Sequence, residues 1–319
     1  MDTAVSRPAT VRYRNLIFDS ARWDGFAFRD GDIVLSTPPK SGTTWLQMIC
    51  ALLIFQRTEL PARLDELSPW MDMQTRPVAD VHARLAAQRH RRFIKTHTPL
   101  DGLPWDERVT YLCVGRDPRD VALSWDNHRS NLNFDEFFAA RARAVGTDDL
   151  AELLPGGPPP PPPADPAERY WEFIEDSTPI GLAPAPSLAT TMHHLSTFWA
   201  VLDRPNVALV HYADLQADLA GQMAALAGQL GIDVPAERWP GLVAAAGFEP
   251  MRARAADLVP ESDWPAWLDT ARFFHCGTSG RWRDLPGDPD GTRYTAAVEH
   301  LAAPEVLDWA HRGPSWRAN

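Results

Sequence analysis

Lys40, Ser41, Gly42, Thr43 and Thr44 stand together in Thr37-Pro38-Pro39-Lys40-Ser41-Gly42-Thr43-Thr44-Trp45, and they are the residue types a phosphate cradle needs. A glycine lets the backbone approach an anion, a lysine supplies charge, hydroxyls donate, and the first N–H groups of a following helix point at the bound group. The order excludes a Walker A loop, where the lysine follows the second glycine; here Lys40 precedes the single glycine of the motif, and ATPase or kinase chemistry loses support. A second group follows at Lys95 and His97. A histidine two residues after a lysine, at the end of an apolar run, is a candidate for proton transfer, since imidazole with its ordinary pKa of about 6.5 is largely neutral near pH 7.

These groups act together only if strands and helices converge on them. Residues 32–37 read as a short buried strand, stopped by Pro38 and Pro39, which lack an N–H and fix φ. From Thr43, the apolar positions Trp45, Leu46, Met48, Ile49, Leu52, Leu53 and Phe55 describe a helix apolar on nearly all sides, hence an interior one. Residues 93–96, ended by Pro99, and 109–115 read as two more strands. Asp117 is placed to cap a helix with Pro118 in its first turn. Residues 207–212 read as a fourth strand, and 214–230 as one helix ended by Gly231. The recurrence of strand, loop and helix predicts a single α/β domain, a central mostly parallel β-sheet flanked by helices, with ligands beyond the carboxyl ends of its strands. Residues 131–189 break the pattern with Gly156-Gly157 and the run Pro158 to Pro163, and read as a Pro-rich insertion, either a plain linker or an acceptor-side lid.

The first motif resembles the 5′-phosphosulfate loop of the cytosolic-type sulfotransferase family. Further segments match in the family's order: Lys95-Thr96-His97-Thr98-Pro99, Gly115-Arg116-Asp117-Pro118-Arg119-Asp120 continuing through Ser124-Trp125, His211-Tyr212-Ala213-Asp214-Leu215, and Phe273-Phe274-His275-Cys276-Gly277-Thr278-Ser279-Gly280-Arg281-Trp282. The resemblance implies transfer of a sulfuryl group from 3′-phosphoadenosine 5′-phosphosulfate (PAPS) to an acceptor hydroxyl, without a metal. It implies His97 as general base, Lys40 on the leaving phosphate and Lys95 on the sulfuryl oxygens. Arg116 and Ser124 would hold the 3′-phosphate, and Trp45, Tyr212 and Phe248 the adenine. Phe274, His275, Cys276 and Gly277 would complete the cofactor site. The stretches around Lys95 and Arg116 are also similar to mycobacterial glycolipid-type members, which implies a lipid or other hydrophobic alcohol as acceptor. Three departures stand out: His275 and Cys276 replace the family's Arg-Lys, Ala246 replaces a common Thr, and the dimerisation motif of the animal enzymes has no clear copy, so oligomeric state is left open.

Composition sets the outer bounds. The 319 residues, 45% hydrophobic with 13 Trp and 13 Phe, are enough for a packed chain. A net charge of −11 would repel a nucleic-acid backbone, whereas a few cations in one pocket can still focus on a small anion. Cys50, Cys113 and Cys276 are too scattered for a disulfide framework or a metal site, and the longest apolar stretch, near residues 50–55, is too short to span a bilayer. The expectation is a cytoplasmic enzyme with a small-molecule or lipid partner.

Overall fold

The computed structural model describes residues 6–157, 161–183, 185–260, 264–275, 277–285, 288 and 291–312. Its centre is a parallel sheet of four strands, β1 (Ile33–Ser36), β2 (Phe93–Thr96), β3 (Thr110–Gly115) and β4 (Val207–His211), in the order β2-β1-β3-β4. The strand expectations hold to within a residue at each end. The strands read as continuous apolar runs because both faces of the sheet are covered. Val34, Ile94, Tyr111 and Cys113 enter one buried cluster, and Ile33, Leu35, Phe93, Leu112 and Val114 enter the other, as the alternation of side chains along a strand requires.

Helix α1 (Thr43–Phe55) lies in the second cluster, with Leu46 through Leu53 all buried. The Pro118–Arg129 helix starts as its sequence predicts, with Asp117 accepting from Arg119 N at 3.0 Å. Where one helix was expected over 214–230 there are two, Tyr212–Ala217 and Leu219–Gln229. Asp218 separates them: its non-helical backbone ends the first, and its carboxylate, accepting from Gly221 N at 2.8 Å, caps the second.

The described residues of 131–189 include the helices Phe134–Val145, Leu150–Leu153 and Pro166–Glu175. Tyr170, Trp171, Phe173 and Ile174 are buried in the first cluster, so much of this stretch is built into the core rather than laid over it. Pro158 to Pro160 lie outside the described residues; at the end of the proline run the Pro163 carbonyl accepts from Arg169.

Because the chain passes from β1 to β2 on one side and then to β3 on the other, the loops leaving β1 and β3 diverge and open a crevice at the strands' carboxyl ends.

Candidate active site

Lys40 and Gly42 both have positive φ, 67° and 118°, and so turn the chain sharply between β1 and α1. A left-handed conformation costs a non-glycine residue about 1–2 kcal/mol, so the Lys40 backbone is held there by its surroundings. A side chain at position 42 would also press on Tyr212, its Cβ 3.0 Å from the ring. Thr37 and Thr43 join hydroxyls across the base of the loop. Ser41 is fully buried, and its Oγ has no hydrogen-bond partner among the described residues. The same holds for Arg116 Nε, while the rest of that guanidinium donates to the Lys40 carbonyl at 3.3 Å and the Thr278 carbonyl at 3.2 Å. Buried polar groups are rarely left unmatched, so a loop with one such donor beside a helix start, and a second from Arg116 at the end of β3, is chemically suited to an anionic group.

Lys95 and His97, two apart at the end of β2, share one side of the chain. Trp70 joins them: Lys95 Nζ lies 4.0 Å from the centre of the Trp70 ring, and His97 meets that ring edge-on at 4.6 Å. His97 Nδ1–H donates to the Thr37 carbonyl at 2.7 Å. A carbonyl only accepts, so the ring proton sits on Nδ1 and Nε2, on the opposite edge, keeps its lone pair. Burial, followed by the charge of Lys95, holds the His97 pKa well below 6.5 and the ring neutral. Lys40 is likewise pushed down to about 7 by burial and by the charges of Arg116 and Lys95.

A cavity of about 580 Å³ brings these groups together. Lys40, Gly42, Thr43, Thr44, Trp45, Lys95, His97, Arg116 and Ser124 line it, Ser124 from two turns inside its helix. Tyr212, Phe248, Phe274, His275 and Gly277 close another wall. Ser41 sits beneath this surface, and Cys276 lies outside the described residues. Trp45 packs edge-on to Tyr212 at 5.2 Å and donates from Nε1 to the Ala246 carbonyl at 2.8 Å, while the Arg116 guanidinium covers the Tyr212 ring at 4.3 Å. Gly277, at φ 62°, passes so close to Phe248 that a Cβ would fall 2.6 Å from the ring. Its carbonyl accepts from Gln216, and Gly280 N donates to Asp120, which ties this late loop to the crevice. His275, where the family's first cation is missing, contacts Arg281 at 3.0 Å, and its pKa is lowered by burial and then by Arg281, Arg272 and Arg252. Positive charge therefore surrounds the position even though the side chain is not itself a cation.

Two residues escaped sequence reasoning. Asp72 is fully buried and accepts from Trp23 Nε1 at 3.2 Å, Trp70 Nε1 at 2.6 Å, Thr98 Oγ1 at 2.6 Å and the Thr96 hydroxyl. It thereby grips both neighbours of His97 and the ring that meets Lys95, and no spacing in the sequence points to it. His128 accepts from Lys40 Nζ at 3.1 Å; here a signal existed, since residues 124 and 128 share a helix face. Among the described residues there is no cluster of three or more histidine, cysteine or acidic side chains fit to hold a metal.

Comparison with known proteins bears on this arrangement. The sulfotransferase domain family model matches residues 30–285. A glycolipid sulfotransferase of Mycobacterium bovis is 42% identical over 310 residues, covering 95% of this chain and 94% of the relative. One from Mycobacterium tuberculosis is 41% identical with the same coverage. Among solved structures, retinol dehydratase in complex with androsterone and the inactive cofactor PAP superposes with a TM-score of 0.64 at 20% identity, covering 88% of this chain and 83% of the other. A mouse sulfotransferase complexed with PAP gives 0.63 at 18% identity, covering 93% and 92%. At these identities the structural likeness shows the fold.

Proposed function

The chain belongs to the sulfotransferase family, and from that premise we propose that it takes the sulfuryl group from PAPS and places it on the hydroxyl of an amphiphilic acceptor, a glycolipid or similar hydrophobic alcohol, with His97 as general base. The observation that carries the reading is the His97 tautomer: Nδ1–H is committed to the Thr37 carbonyl, and the Nε2 lone pair remains in a cavity that also holds Lys40 and Lys95. The acceptor class is supported by the glycolipid sulfotransferases to which the chain is similar, and the donor by the PAP named in the two structural neighbours.

The unmatched Ser41 Oγ and Arg116 Nε, together with the positive φ of Gly42 and Gly277, fit an anionic nucleotide. Residues 40 to 45 would hold its 5′ end, Arg116 and Ser124 its 3′-phosphate, and Trp45, Tyr212 and Phe248 its base; Phe274, His275 and Gly277 would close over it, with Cys276 included from sequence alone. When bound, PAPS supplies a sulfuryl group already activated by its link to a phosphate leaving group. His97 Nε2 accepts the proton of the acceptor hydroxyl as it attacks. Lys40 offers charge where the leaving phosphate gains it, and Lys95 does so for the sulfuryl oxygens. Part of 131–189 belongs to the acceptor side in this reading, supported by Phe137, Ile180, Ala183 and Pro186, which line the same cavity with apolar side chains. The buried thiols of Cys50 and Cys113, neither in a disulfide, fit a reducing cytoplasm, and among the described residues no helix is long and apolar enough to cross a membrane.

The test is transfer of radiolabelled sulfate from PAPS to a lipid extract and to a panel of phenols and alcohols. Label in a glycolipid or hydrophobic alcohol is the expected result. No labelled acceptor, or phosphate transfer from ATP in its place, would overturn the reading.

A further inference from the structure

His128 has no part in the chemistry above, yet it touches the lysine at its centre. Lys40 Nζ donates to His128 Nδ1 at 3.1 Å. In its ammonium form Lys40 only donates, so below about pH 7 Nδ1 carries the lone pair and the proton of the neutral ring sits on Nε2. Trp125 stacks on the ring with centres 5.5 Å apart, while Trp267 and Phe273 meet it edge-on at 4.9 and 6.2 Å, so the imidazole is clamped in one orientation. It lines the same cavity as His97, and Nε2 makes no hydrogen bond among the described residues. The two histidines are thus opposite tautomers in one chamber, His97 presenting a lone pair and His128 an N–H.

Building on the sulfuryl-transfer reading, we propose that His128 is a specificity-determining residue whose Nε2–H donates to a second oxygen of the acceptor, so that the enzyme selects a polyhydroxylated headgroup, such as a glycosyl group, over a simple alcohol. A donor enclosed by aromatic rings loses its water when the cavity fills. An acceptor with an oxygen at that point restores the hydrogen bond, and one without it leaves the N–H unmatched.

The experiment compares hexyl β-D-glucopyranoside with 1-hexanol as ligands of the PAP-loaded protein by calorimetry, in wild type, His128→Phe and His128→Gln. Wild type should prefer the glucoside, and the phenylalanine variant should lose about tenfold of that preference, the scale of one hydrogen bond. The glutamine variant, which keeps an N–H at similar reach, should retain most of it; melting curves check that each variant is folded. Long-range ¹H–¹⁵N correlation should show the His128 proton on Nε2 and a shift of that nitrogen on adding the glucoside. An unmoved preference in His128→Phe, a glutamine variant no better than phenylalanine, a proton on Nδ1, or binding of neither probe would each overturn the proposal. The affinity ratio is independent of the transfer assay. An unmoved ratio with sulfate transfer intact therefore strikes His128 alone, whereas lost transfer with the ratio intact strikes the donor reading.

Discussion

Raising the pH above neutrality should weaken nucleotide binding through Lys40. In the free protein, burial and the neighbouring charges of Arg116 and Lys95 push this amine from 10.5 down to about 7. A phosphate placed beside it favours the ammonium form, so the bound-state pKa is higher and binding takes up a proton once the pH exceeds the free value. The neighbouring histidines do not titrate in that window. His97 and His128 are held well below 6.5 by burial and by the lysines, and His275 is lowered as well. Phosphate monoesters complete their ionisation near about pH 6. With one proton linked to binding, the dissociation constant for PAP should rise by about tenfold per pH unit from roughly pH 7.5 upward. Calorimetry at stepped pH, in two buffers of different ionisation enthalpy, measures both the affinity and the protons taken up. Lys40→Met should bind PAP more weakly at neutral pH and without the slope. A dissociation constant that stays level between about pH 7.5 and 9, or a slope that survives in Lys40→Met, would refute the linkage argument.

Replacing His97 by Ala should lower turnover by about 10²–10⁴-fold while leaving PAP affinity near that of wild type, since the proposed role of the ring is toward the acceptor; near-normal turnover would mean that another group is the base. Arg116→Ala should weaken PAP binding by about 1.5–3 kcal/mol, the scale of a hydrogen bond to a charged group, and titration calorimetry reads the change directly. Sulfate transfer should persist undiminished in EDTA, because Lys40, Lys95 and Arg116 supply the positive charge; a rate that collapses and returns with Mg²⁺ would contradict this. Asp72→Ala leaves three buried donors, from Trp23, Thr96 and Thr98, and the part-buried Trp70 Nε1 without their acceptor and should cost about 3 kcal/mol of stability in denaturant melts, whereas an unchanged midpoint would show that the network around His97 is dispensable.

Residue order alone was enough for the turn between β1 and α1, the four strands and the first turns of the helices, because these depend on neighbours in the chain: prolines that stop a strand, an aspartate that caps a helix, a glycine that admits a positive φ. The same local logic misread residues 214–230, where the apolar pattern runs on through Asp218 but the carboxylate captures Gly221 N and restarts the helix. The packing within 131–189 was not legible for a related reason. Its prolines and glycines are conspicuous, and the burial of Tyr170 and Trp171 depends on partners far along the chain.

The chemical state of the site belongs wholly to the tertiary structure. Residue type makes His97 a candidate base, but its tautomer comes from a carbonyl at the end of β1, which stands beside it because β1 and β2 are paired. Lys40 is a cation by type, and its lowered pKa comes from being buried with Arg116 and Lys95, which arrive from the ends of other strands. Asp72 reaches these groups through contacts that no spacing encodes, and the four-residue step from Ser124 shows the face of His128 but not its contact with Lys40. Desolvation and Coulomb interaction depend on distance in space and not on separation along the chain. The sequence could therefore name the candidate groups, and the order of the strands decided which of them hold protons.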